Sequence, residues 1–166
     1  MTSYLLDANV FIEAKNRYYS FDICPGFWEW MDQAAPAGTS HSITKVYDEL
    51  VAGNDGLAKW IKSRKDGRFL DVSDPPTQQA FAKVAQTVQR GPYTPEAKRK
   101  FLSGADPWLV AKAMTINAVI VTHERADPKS IRRVPLPNIC SNFCVSHTDT
   151  FRHLQKLSVC FDLRKR

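Results

Sequence analysis

The run Ala118-Val119-Ile120-Val121-Thr122 constrains the fold of this chain more than any other feature. Its β-branched residues show no polar alternation, so the strand they form must be covered on both faces, as in a parallel sheet. Tyr4-Leu5-Leu6 is a second short apolar run, and it stops at Asp7. Further strands are expected over residues 39–43, 69–72 and 143–146. Val159, Phe161 and Leu163 alternate with Cys160 and Asp162, as a final edge strand would. Helical spacing separates the strands. Phe81, Val84, Ala85 and Val88 fall at i, i+3, i+4 and i+7, with Thr77 as the cap before them. Thr94-Pro95 and Asp106-Pro107 each read as an N-cap followed by Pro at the first helical position. The second pair opens a helix over 108–116, which Asn117 would end in a left-handed conformation. Residues 44–50 read as a helix stopping at Gly53, and residues 150–157 as another behind Asp149. Strands alternating with helices predict an α/β fold with a mainly parallel sheet.

Length fits this reading. A chain of 166 residues is about one domain, and it can bury roughly 70% of the surface its unfolded form exposes. A single domain over 1–166 is therefore expected, needing neither metal nor disulfide to fold. No apolar run reaches the ~20 residues that cross a bilayer. Met1-Thr2-Ser3-Tyr4 lacks the start of a signal peptide. The expected location is cytoplasmic, away from any membrane, with Cys24, Cys140, Cys144 and Cys160 as reduced thiols. Cys140, Cys144, His147 and His153 are the one set to weigh as zinc ligands. Their spacing departs from the paired motifs of structural zinc sites, and small buried thiols are the better reading. Lys and Arg outnumber Asp and Glu by 23 to 17, a net charge of +6, which favours an anionic partner such as nucleic acid.

In open α/β sheets, sites lie outside the carboxyl ends of the strands. Asp7 ends the first strand, Glu124 follows the strongest one, Asp106 opens a helix, and Glu49 lies in the helix after the second strand. Each has a plainer use when taken alone. Asp106 could cap its helix, Glu49 could pair with Lys45 on the surface, and Glu124 could be a solvated loop residue. Asp7 is harder to dismiss, because a carboxylate between two apolar runs is costly unless it caps, pairs or binds. Brought together, four carboxylates suit Mg²⁺ or Mn²⁺ and phosphodiester cleavage. Two of them ~5 Å apart repel by about 3 kcal/mol at an effective dielectric near 20.

Four stretches resemble the motifs of PIN domains, in order and spacing. They are Tyr4 to Ile12 around Asp7, Val46-Tyr47-Asp48-Glu49-Leu50, Ala105-Asp106-Pro107-Trp108-Leu109-Val110-Ala111, and Val119-Ile120-Val121-Thr122-His123-Glu124. The resemblance covers about residues 3–150, with a C-terminal helix and edge strand over 150–166. Asn16-Arg17-Tyr18-Tyr19 and the stretch from Phe21 to Trp28 are similar to a bacterial PIN-like subgroup of unassigned function. The resemblance implies a Rossmann-like three-layer α/β/α sandwich and an Mg²⁺- or Mn²⁺-dependent endoribonuclease. It implies a VapC-like toxin of a type II toxin–antitoxin pair, with a cognate antitoxin and a homodimer as partners. It also implies Asp7, Glu49 and Asp106 as metal ligands and Asn9 and Thr122 as their hydrogen-bonding supports. The fourth position is Glu124, where the family usually carries Asp. Asp127 is a substitute there, although Asp127-Pro128 looks more like a turn.

Basic residues supply candidate RNA contacts. Arg125, Lys129, Arg132 and Arg133 follow the fourth motif, Lys59, Lys62, Arg64, Lys65 and Arg68 form a dense basic stretch, and Arg164-Lys165-Arg166 ends the chain. Trp60 reads as packing with Leu57 and Ile61, whereas Tyr18 and Tyr19 are candidates for base stacking. Phe27, Trp28, Trp30 and Met31 crowd one helix beyond a single stripe, which suggests a second subunit, an antitoxin or an ordinary core. The sequence argues against a dinucleotide-binding enzyme, since no G-x-G-x-x-G follows the first strand. Two rivals remain. One is a phosphatase with Asp7 as covalent nucleophile, which would place a second Asp where this chain has Asn9. The other is a catalytically weak PIN-like module that binds RNA or protein.

Overall fold

The computed structural model describes residues 2–163. Its strands are β1 (Tyr4–Leu6), β2 (Ser40–Ile43), β3 (Phe69–Leu70), β4 (Val119–Val121) and β5 (His147–Thr148). They form one sheet in the order β3-β2-β1-β4-β5, and every pairing is parallel. The helices are α1 (Ala8–Glu13), α2 (Pro25–Ala34), α3 (Thr44–Val51), α4 (Gly56–Lys62), α5 (Pro75–Arg90), α6 (Pro95–Ser103), α7 (Asp106–Ile116), α8 (Leu136–Asn142) and α9 (Thr150–Lys156). Successive strand residues point to opposite faces. Tyr4, Leu5 and Leu6 are all buried, so helices must cover both faces of β1. This is the three-layer α/β/α sandwich. Arg164-Lys165-Arg166 lies outside the described residues.

Local chemistry sets the helix boundaries. Asp55, Thr94 and Asp149 cap α4, α6 and α9 by accepting from the backbone N–H three residues on. The cap of α5 is Asp74 rather than Thr77. Its Oδ1 accepts from Thr77 N at 3.0 Å and from Thr77 Oγ1 at 2.8 Å. Pro75 and Pro76 need no N–H partner and so belong to the first turn. Asp106 is the first residue of α7 and not its cap; Ala105 holds that place. Asn117 ends α7 at φ 51°, ψ 47°, in the left-handed region.

Two expected strands are corrected. Residues 143–145 terminate α8: Cys144 has φ 54°, and Val145 N donates to Cys140 O at 2.9 Å. Strand pairing therefore begins only at His147. Residues 159–163 are not a strand either. Ser158 turns at φ 53°, Val159 N closes α9 onto Leu154 O, and the Phe161 ring packs against Tyr19 and Phe27. Its alternation serves packing rather than a ladder.

The crowded helix α2 is satisfied within the chain. Phe27, Trp28 and Met31 are buried, Trp28 Nε1 donates to Tyr19 O, and Trp30 meets His153 edge-on. Trp60 packs against Trp28 and lies under the Arg64 and Arg68 guanidinium groups. The candidate zinc set does not assemble. Cys144 and His147 are exposed, whereas buried His153 is hydrogen-bonded to Ser40 Oγ through Nε2. All four cysteines are free; Cys140 alone is fully buried, and Cys144 and Cys160 are exposed.

Candidate active site

The chain leaves β1 on one side of the sheet and reaches β4 on the other, so the order reverses between these two neighbours. That switch point opens a crevice at the strand ends. Leu6 pairs with Val121, and Asp7 N extends the ladder to Val121 O at 3.0 Å. Asp7 and Thr122 thereby become neighbours across the crevice. Asp7 is 5% exposed, and its Oδ2 accepts from Asn9 Nδ2 at 2.7 Å and from Thr122 Oγ1 at 2.8 Å. Although Asp7 occupies the N-cap position of α1, its side chain makes no cap bond. Asn9 Oδ1 accepts from His123 N, and Thr122 Oγ1 accepts from Glu124 N. Asn9 and Thr122 thus tie the end of β1 to the segment after β4.

Glu49 reaches from α3 to the start of α7, where Oε1 accepts from Ala105 N at 2.8 Å. Ala105 makes no side-chain cap bond, so Glu49 secures the helix start through the Ala105 N–H instead. The proposed surface pair with Lys45 is absent among the described residues, and Lys45 lies over the Trp108 ring instead. The Asp106 carboxylate accepts no hydrogen bond among the described residues and is half-buried in the crevice. Glu124 Oε2 accepts from Leu136 N at 2.9 Å, the first residue of α8, and Arg133 Nη2 lies 3.6 Å from it.

Electrostatics tie the four carboxylates together. Burial pushes Asp7 up to about 6; the Thr122 bond opposes this, and Glu124 and Glu49 add to it. Burial pushes Asp106 up to about 8, reinforced by Asp7, Glu124 and Glu49 and opposed by Arg133. Like charges that resist joint ionisation share protons at neutral pH. Beneath them the Cys140 thiol is pushed up to about 12, by burial first and then by Asp106, and so is inert. Among the described residues, no three His, Cys, Asp or Glu side chains stand close enough to form a ready metal shell. Glu49 and Glu124 are drawn to backbone N–H groups at helix starts, and Asp7 to Asn9 and Thr122.

The basic residues divide. Arg133 reaches the cluster, whereas Arg125, Lys129 and Arg132 are exposed along the same connection. Lys62 and Lys65 are exposed at and beyond the end of α4, with Lys65 Nζ over the Tyr47 ring. Asp127 is exposed and accepts from Lys129 N in a turn, as its Asp-Pro dipeptide suggests. Tyr18 is 54% exposed, whereas Tyr19 stacks on Phe27.

A cleft of about 370 Å³ adjoins the carboxylates and shares Thr122 and Glu124 with them; His123, Arg125, Phe151 and Arg152 help to line it. A larger hollow, about 650 Å³, lies by Asn117, Val119 and Ser146 and contains none of the four carboxylates. No motif singles out His123 or Phe151. The one signal is the position of His123 between Thr122 and Glu124.

An all-parallel sheet of this order, covered by helices on both faces and with an acidic crevice at its switch point, defines a three-layer α/β/α protein. The chain belongs to the family described as "Domain of unknown function (DUF4411)", which matches residues 4–161. A comparison with curated proteins finds no match. Among solved structures it is similar to a chain of VapBC2 from Rickettsia felis, crystallised bound to a DNA fragment from their promoter. The TM-score is 0.51 at 15% identity, over 89% of this chain and 98% of that one. A likeness at this identity carries the fold alone.

Proposed function

We propose that this protein is a metal-dependent endoribonuclease acting as a single domain, with Asp7, Glu49, Asp106 and Glu124 as its metal-binding and catalytic groups. One observation carries the reading. Two acidic groups at the switch point, Asp7 and Asp106, are pushed up to about 6 and about 8 with two further carboxylates in the same field. Such charge is stabilised when a cation joins it. The donor set is all oxygen, which suits Mg²⁺ or Mn²⁺ over softer ions. Such an ion supplies Lewis acidity towards a phosphodiester and makes water more acidic.

The residues of the chain do the rest. Asn9 and Thr122 fix the Asp7 carboxylate through Oδ2. Glu49 holds the start of α7, which positions Asp106. Arg133, beside Glu124, is placed to meet a phosphate, with Arg125, Lys129 and Arg132 along the RNA path and Lys62, Lys65 and Tyr18 as further contacts. The fold likeness to a VapBC2 chain supports a toxin of a type II pair, in the cytoplasm, bound by a cognate antitoxin and working as a homodimer.

A second reading is a catalytically weak module that binds RNA or protein. It is favoured by Glu124, whose carboxylate is engaged by Leu136 N and Arg133. End-labelled structured RNA separates the two. The nuclease cuts it with Mg²⁺ or Mn²⁺, stops in EDTA and is silent as Asp7→Asn. Binding without cutting under either ion selects the module.

A further inference from the structure

We infer that the cleft beside Glu124 is a stacking platform for an unpaired RNA base, built from Phe151 and Tyr18, with Arg125 and Arg152 meeting the flanking phosphates. This rests on the reading of the site as one that takes RNA, and it specifies the substrate as single-stranded.

Three observations lead there. First, the cleft and the acidic crevice share a wall, because Thr122 and Glu124 line both. A strand whose phosphate lies at the carboxylates must continue across one of the neighbouring surfaces, and this cleft is one of them. Second, the aromatic residues at its edge are open; Phe151 lines the cleft, and Tyr18 packs against Phe151 beside that lining. Phe151 is 41% exposed and Tyr18 54% exposed, and they meet edge to face with centroids 5.2 Å apart. His123 adds a third ring, 6.1 Å from Phe151. It is held by its Thr150 contact, 2.9 Å from Nε2 to Oγ1. Local backbone explains the exposure. The π-helical turn over Ala14–Tyr18 sends Tyr18 outward while Tyr19 stacks inward on Phe27. Asp149 caps α9 through Arg152 N, which fixes Phe151 at the first turn. Third, two cations stand at the cleft, among the Glu124 and Asp149 carboxylates that also line it. Arg125 and Arg152 border the rings. Arg152 is only loosely tied to Asp149, at 3.8 Å with its side chain 76% exposed.

Aromatic faces stack on any unpaired base but cannot reach one inside a duplex. Half-exposed rings that meet one another beside two arginines offer a stacking surface with phosphate contacts at its edge. An unpaired nucleotide covers them and satisfies the arginines together.

The test is equilibrium binding in EDTA, where no cutting interferes. The probes are a short fluorescein-labelled oligouridine and a labelled RNA hairpin with a minimal loop. Phe151→Ala is expected to bind the oligouridine about tenfold or more weakly, with hairpin affinity unchanged. Tyr18→Ala should weaken it in the same sense, and Phe151→Tyr should bind as the parent does. Circular dichroism and melting of each variant establish that the fold persists. Equal oligouridine affinity for parent and Phe151→Ala overturns the platform, as does an equal loss on the hairpin, or a parent that fails to bind oligouridine. Loss of a co-purifying protein with RNA binding intact overturns it in favour of a protein contact. Cutting by the parent with unchanged binding in Phe151→Ala rejects the platform and leaves the nuclease standing. Selective loss of binding in a parent that never cuts rejects the nuclease and leaves the platform.

Discussion

Replacing Asp106 by Asn should stabilise the protein in the absence of divalent ions. Asp106 is pushed from 3.8 up to about 8 by burial and by Asp7, Glu124 and Glu49. A folded value above the unfolded one means stability is fully present below about pH 4 and is lost as pH rises through 8. Fully expressed, the shift corresponds to just under about 6 kcal/mol at 1.36 kcal/mol per unit. Asp7 shares the same protons, so the two residues do not add. Solvent also reaches the partly open side chain and weakens the repulsion. About 2 kcal/mol remains at pH 7.5 after that discount. For a chain of this size, that raises Tm by about 4–8 °C. Asn forfeits no partner, because Asp106 accepts no hydrogen bond among the described residues. The assay is thermal melting of parent and Asp106→Asn in EDTA at pH 4 and pH 7.5. The gain should be large at pH 7.5 and shrink to a small remainder at pH 4, where the acid is protonated in the folded state and only about half ionised in the unfolded one. An unchanged or lowered Tm at pH 7.5, or an equal gain at both pH values, refutes the account of crowded carboxylates.

Further outcomes follow from the same geometry. Saturating Mn²⁺ should raise the Tm of the parent, by about 2.7 kcal/mol of stability at one hundred times Kd, and leave Asp106→Asn nearly unmoved; scanning calorimetry reads both. Asp7→Asn should lose more cleavage than Thr122→Val, for which about 10- to 100-fold is expected from a residue that only orients a ligand; initial rates on one RNA rank them. Burial holds His153 down at about 4, with Lys156 adding to the effect. Its ring should therefore stay neutral at pH 5.5 by NMR, and its share of stability is present above about pH 6.5 and fades as pH falls towards 4. Leu109 is fully buried in α7, so Leu109→Ala should cost about 2–5 kcal/mol by chemical denaturation.

Much of the site was legible because its residues are anchored to strong local signals. Asp7 and Thr122 sit one step past the two most apolar strand runs, so the pattern that marks β1 and β4 also marks the strand ends. Asn117 and the caps at Thr94 and Asp149 were readable for the same reason, since each is decided within one turn. The errors fall where a remote group intervenes. Asp106 has the sequence of a cap, yet Ala105 holds that position and Glu49, from another helix, accepts from the Ala105 N–H. Residues 143–146 and 159–163 have strand alternation, yet the closures of α8 and α9 claim them first. Nothing local distinguishes the exposed Phe151 from the buried Phe27.

The sequence alone determined the alternation of strands and helices, and the placing of an acid after each of the two central strand runs. Periodicity and burial are properties of the segment itself and need no partner to be read. Tertiary structure decided which carboxylates share one field, which are engaged by helix starts, and which aromatic rings stay open beside them. Those outcomes depend on distances between groups far apart in the chain, 115 positions in the case of Thr122 and Asp7. Coulomb and hydrogen-bond energies are set by separation in space, which the order of residues along the chain does not specify.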